Sequence, residues 1–101
     1  MPIEIGLLAT IEAKEGKSDE LGEFLKGAQE HAEAEGGTIT WYAFKINNTT
    51  FGIFDTFETE EARQAHLSGP IVRELGEAGP DLLEGEPVIQ QLDVIAVKGD
   101  I

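Results

Sequence analysis

The stretch FGIFDTFETEEARQAHL, residues 51–67, holds the two side chains best suited to proton chemistry, Asp55 and His66. Along it a period of two gives way to a period of 3.6, which reads as a strand running into a helix. Asp55 falls on the strand face shared with Phe51, Ile53 and Phe57. A carboxylate among apolar neighbours is desolvated and calls for a donor or a cation. His66 falls on the apolar side of the helix, beyond Ala62, among small residues that leave room for a ligand. An imidazole, with an ordinary pKa near ~6.5, donates, accepts or exchanges a proton near neutrality. The pair therefore predicts a pocket between strand and helix, with His66 in proton transfer and Asp55 orienting it or accepting a substrate hydroxyl. The structural alternatives are a histidine that caps helix carbonyls or rests on the sheet, and an aspartate that binds backbone amides or faces a subunit interface.

Trp41, Tyr42, Phe44, Phe54 and Phe57 crowd the neighbouring segments. Such clusters usually form core; where they line a cavity they suit a flat aromatic ligand, and Trp41, Tyr42, Phe54 and Phe57 are the candidate substrate contacts. His31 falls on the border of a helix beside Phe24 and Ala28. Two histidines without a fixed carboxylate spacing give no metal-ligand motif, and the lack of cysteine removes thiolate and disulfide chemistry.

These side chains need elements to hold them. Residues 3–13 alternate, with Ile3, Ile5, Leu7, Ala9, Ile11 and Ala13 on one face, and read as a long strand. Ser18 is the expected N-cap of a helix of about five turns that carries Leu21, Phe24, Leu25, Ala28 and Ala32 and stops at Gly36-Gly37. Residues 38–47 and 50–58 are rich in β-branched and aromatic types, and Asn47-Asn48-Thr49 joins them as a hairpin turn that tolerates left-handed conformations. Glu58 and Thr59 open the second helix, broken at Ser68-Gly69-Pro70. Pro70 then starts a further helical segment through Ile71, Val72 and Leu75, which Gly76, Gly79 and Pro80 are expected to disrupt. Residues 87–98 form the last strand.

The order β-α-β-β-α-β is that of a ferredoxin-like α+β domain: an antiparallel sheet with helices on one face, built from a single domain over residues 1–101. Both faces of the first and last strands are partly apolar, which predicts a homodimer whose sheets pack face to face. Seven Lys plus Arg against twenty Asp plus Glu give a formal charge of -13, which repels phosphate backbones and anionic lipid. Nucleic acid and membrane are thus not expected partners. The acidity reads as a solvated surface, with salt adaptation as the other explanation. The first residues lack the basic start and continuous apolar run of a signal peptide, so a soluble cytoplasmic protein is expected.

The stretch Asp55-Thr56-Phe57-Glu58-Thr59-Glu60-Glu61-Ala62 followed by His66, a small residue and a proline, within such a chain, resembles the antibiotic biosynthesis monooxygenase (ABM) domain family. The resemblance covers nearly the whole chain. Family members commonly carry Glu and Trp where Asp55 and Phe57 stand. It implies a dimeric α+β barrel with a cavity between sheet and helices, and quinol monooxygenase-like oxidation of quinols, anthrones or related polyphenols with O2 and no cofactor. On that reading His66 takes or holds the substrate proton, Asp55 orients it, and Trp41 and Phe57 wall the ring. A haem-degrading branch of the family uses an asparagine and an iron-ligating histidine at positions that fall near Ala9 and Gly76, with His66 at the place of an aromatic; both expected residues are missing. Two other readings use the same scaffold: a non-catalytic dimer that binds a small molecule or protein, and an isomerase or decarboxylase that works without O2.

Overall fold

The computed structural model describes residues 4–99. Its elements are β1 (Ile5–Glu12), α1 (Ser18–Ala34), β2 (Thr38–Lys45), β3 (Thr50–Phe57), α2 (Glu60–Leu67), α3 (Pro70–Leu82) and β4 (Val88–Asp93). The sheet order is β2-β3-β1-β4 with every pairing antiparallel, the ferredoxin-like arrangement. Leu7, Ile11, Phe51, Ile53 and Phe57 project from one sheet face and are buried there, with Leu21, Leu25, Leu75 and Leu82 of the helices completing the core. Trp41 packs against that core and against a smaller cluster of Ala28, Ala32 and Ile71, so it seals the seam between α1, α3 and β2.

Several element ends differ from the sequence expectation. Ser18 is the first helical residue rather than the cap; Lys17 holds the cap position and makes no side-chain cap bond. Thr59 does cap α2, its hydroxyl accepting from the Ala62 amide at 3.1 Å. The hairpin turn uses Asn47 Oδ1, which accepts from the amides of Thr49 (3.0 Å) and Thr50 (2.9 Å), and among the described residues no non-glycine residue has a positive φ. The side chain thus mimics the turn that a left-handed residue would otherwise make.

The helix from Pro70 runs on through Gly76, Gly79 and Pro80 to Leu82, where disruption was expected. Ile71, Leu75 and Leu82 are buried at helical spacing, and this burial outweighs the local cost of two glycines and a proline in the last turn. The helix end is clasped to the end of β1: Lys14 N–H donates to Leu82 O and Glu84 N–H to Glu12 O, both 2.8 Å, and the Lys14 ammonium reaches the Pro80 carbonyl.

β4 stops at Asp93, short of the expected 87–98. Val94 N–H still donates to Glu4 O at 2.8 Å, but from Ile95 onward no ladder partner remains among the described residues, and Ile95 is 97% exposed. β1 is described from Ile5, so the expected start at Ile3 lies outside the described residues.

One close approach fixes the chain around the site. A Cβ on Gly37 would stand 2.5 Å from the Cβ of Ala62, which is rooted in the α2 backbone and cannot swing aside. Gly37→Ala is therefore expected to cost about 1–3 kcal/mol through overpacking. Denaturant unfolding checks it, and Ala62→Gly in the Gly37→Ala background should recover part of the loss, less the helix penalty of about 1 kcal/mol for glycine.

Candidate active site

Three helix ends converge beside the start of β2. α1 finishes at Ala34, and Glu35, its C-cap, has turned to an extended backbone (φ -84, ψ 107) that swings its side chain off the helix line. α2 finishes at Leu67, one residue after His66, and α3 starts at Pro70 behind the N-cap Gly69. Between them lies a cavity of about 190 Å3 lined by Glu35, Gly36, Gly37, Thr38, Ala62, Ala65, His66, Gly69 and Pro70.

His66 is 5% exposed and stands between two carboxylates. Its Nδ1 lies 2.7 Å from Glu35 Oε1 in a hydrogen bond, and its Nε2 lies 3.0 Å from Asp55 Oδ2. The second contact has ion-pair distance without hydrogen-bond alignment, and Asp55 Oδ2 otherwise has no partner. Asp55 is 1% exposed on the helix-facing side of β3, in register with Leu7 and Trp41. Asp55 thus stands behind His66, on the helix side of the sheet, and does not itself line the cavity.

Burial is the largest single influence on His66 and pushes its pKa down, but the Asp55 contact, then the Glu35 hydrogen bond, together with the charges of both acids, outweigh it. The pKa is raised above the ordinary histidine value. The shift favours the imidazolium form, in which both ring nitrogens carry a proton and each stands within ion-pair distance of an acid. Its place in the last turn of α2 adds the favourable end of a helix dipole.

Glu35 Oε1 also accepts from the Thr38 hydroxyl at 2.7 Å, while Glu35 Oε2 is buried with no partner. The Phe57 ring packs against His66 with centroids 5.3 Å apart and planes at 49°. Trp41 lies on the helix side with its indole Nε1 buried and unpartnered, yet it does not line the cavity. Tyr42 and Phe54 are not brought to the site. They stack at 6.4 Å on the opposite face of the sheet, because β2 and β3 alternate and both residues are one step out of phase with Trp41 and Asp55. His31 pairs with Glu74 at 2.9 Å between α1 and α3, away from the cavity.

Two participants escaped the sequence reading. Glu35 lies just past the helix, where helical spacing no longer projects a side chain; the available signal was an acid at a helix C-terminus, the end that disfavours it. Arg63 is buried under α2, where Nη1 donates to Gly6 O and Leu92 O at 3.2 Å each while Nε and Nη2 hold Glu60. It pins the helix that carries His66 to β1 and β4. Among the described residues no group of three His, Cys, Asp or Glu side chains is arranged to hold a metal ion.

The antibiotic biosynthesis monooxygenase family profile matches residues 5–78, a span that includes β1, both carboxylates and His66. The chain belongs to that family. It is 38% identical to the NE2512 protein of unknown function from Nitrosomonas europaea, over 98% of this chain and 96% of that one, with a TM-score of 0.95. PA3566 from Pseudomonas aeruginosa shares the fold at 21% identity, 95% and 98% coverage and a TM-score of 0.80. So does a provisionally assigned antibiotic biosynthesis monooxygenase from Caulobacter crescentus, at 20% identity, 93% and 92% coverage and a TM-score of 0.78. No curated protein matches the chain. No helix among the described residues is long and apolar enough to cross a membrane.

Because the folded-state pKa of His66 is raised, its contribution to stability is fully present below the unfolded value of about 6.5 and is lost as pH rises through the folded value. Unfolding free energy measured from pH 6 to 9 should fall over that window, and His66→Gln should remove that part of the slope. In an NMR titration the His66 Cε1–H midpoint should lie above about 6.5; a midpoint below it would break the ion-pair assignment.

Proposed function

We propose that this protein is a cofactor-independent monooxygenase that oxidises a quinol- or anthrone-like aromatic with O2, with His66 in the proton-transfer assembly. The observation that carries the reading is the buried histidine at a cavity wall, clamped between two acids of which one, Glu35, also lines the cavity. Family membership supports the reaction class. For a quinol the overall change is quinol plus O2 to hydroxyquinone plus water: one oxygen atom enters the ring, the other leaves as water, and the substrate supplies all four electrons. An electron-rich phenolate can itself pass an electron to O2, so the protein has to bind, deprotonate and exclude bulk water. Asp55 holds His66 in place from behind, and Phe57 fixes the face of its ring.

Oxygen uptake with a panel of reduced quinones and anthrones, against a protein-free blank, tests this reading. Wild type should exceed the blank, and His66→Ala should lower kcat by about 100-fold or more with a smaller effect on KM. No excess uptake across the panel assigns the cavity to ligand binding without oxidation.

We also propose that two copies pair through the face of the sheet that carries no helices. Tyr42, Phe44 and Val88 are exposed there, flanked by half-buried Leu8, Phe54 and Leu92, an apolar surface that a second copy would cover. Sedimentation of the wild type should give a dimer, and Phe44→Glu should shift it toward monomer. A monomeric wild type at micromolar concentration would overturn the pairing.

A further inference from the structure

The cavity beside His66 is small and has one unused polar atom. Its volume is about 190 Å3. A dry cavity of about 150 Å3 takes up benzene, so this space admits one six-membered ring with small substituents. Much of its wall is backbone and methyl: Gly36, Gly37 and Gly69 have no side chain, and Ala62 and Ala65 have one carbon each. The Thr38 hydroxyl and His66 Nδ1 both spend their contact on Glu35 Oε1, at 2.7 Å each. Glu35 Oε2 is left buried and without a partner, 3.6 Å from where a Cβ would stand on Gly69 at the cavity wall.

A carboxylate oxygen withdrawn from water and left unpaired is costly, and a hydroxyl donated by a ligand removes the cost. Charge narrows the ligand further. Two carboxylates face one histidine, which can carry at most one positive charge, so the group is formally negative, on a chain whose formal charge is -13. An anionic ligand is repelled; a neutral donor is not.

We propose that Glu35 Oε2 is the acceptor for the hydroxyl of a neutral, single-ring phenol or quinol seated in this cavity, its other oxygen staying tied to His66 and Thr38. In the proton step the ligand O–H bond breaks, a new O–H bond forms on Glu35, and the electron pair stays on the phenolate oxygen. The proposal rests on the cavity being the substrate site. It adds the acceptor atom to that reading.

An anaerobic titration followed by amide NMR separates this from the oxidation chemistry. Hydroquinone should shift the amides of Gly36, Gly37 and Gly69 saturably. Its dimethyl ether, 1,4-dimethoxybenzene, which lacks the donor, and anionic 4-hydroxybenzoate should each bind about tenfold or more weaker. Glu35→Gln should weaken hydroquinone by a similar factor. Gly69→Ala, which sets a methyl 3.6 Å from Oε2 and also close to the Ala65 and His66 carbonyl oxygens (3.2 and 3.3 Å), should do the same and serves if Glu35→Gln does not fold. Absence of the hydroquinone shifts, equal binding of the ether, or unchanged affinity in both variants would overturn the assignment. Hydroquinone binding as described with no oxygen uptake would retire the oxygenase reading and leave the Glu35 site standing.

Discussion

The placement of His66 between Asp55 and Glu35 is the contact around which the rest of the structure is arranged. Asp55 sits in the middle of a strand on its core face, and Glu35 sits at the negative end of α1; neither position favours a carboxylate by itself. One cation from the end of α2 answers both. The same three side chains therefore tie the central sheet, the first helix and the second helix together at a single point, and the cavity opens where those elements fail to close completely. Removing one member of such a group leaves an uncompensated buried charge, a cost of about 3–5 kcal/mol in comparable buried pairs, so stability and chemistry are not separable here.

Arg63 performs the matching task at the other side of α2. Its guanidinium reaches carbonyls of Gly6 and Leu92, which face each other across the β1–β4 ladder. An eight-residue helix is too short to hold its own orientation. Fixed by His66 on one side and by Arg63 on another, it presents the imidazole to the cavity at a set angle, and the Phe57 ring limits what rotation is left.

Asp55 and His66 were legible in the sequence because each lies inside a regular element, where period two or period 3.6 states which face a side chain takes. Glu35 was not legible for the converse reason: it stands in the turn after a helix, and its direction is set by Gly36, Gly37 and the Thr38 hydroxyl rather than by a repeat. Tyr42 and Phe54 show a different gap. Aromatic clustering drew them into the candidate site, although strand parity puts them on the face away from Asp55. Arg63 could not have been found, since its burial depends on carbonyls contributed by strands far away in the chain. The long α3 carries the same lesson at the level of elements: Gly76, Gly79 and Pro80 report local preference faithfully, and the buried stripe of Ile71, Leu75 and Leu82 overrides it.

The sheet order also dictates when the fold can exist. β1 is synthesised first yet lies between β3 and β4, and its ladder with β4 runs from Ile5 opposite Asp93 to Thr10 opposite Val88. The β2–β3 hairpin is local and can close as soon as Phe57 has emerged, whereas the first strand waits for segments from much farther along the chain. A nascent chain on the ribosome thus carries an open backbone edge on β1 until Val88–Asp93 is free to pair with it, an interval in which another strand could occupy that edge.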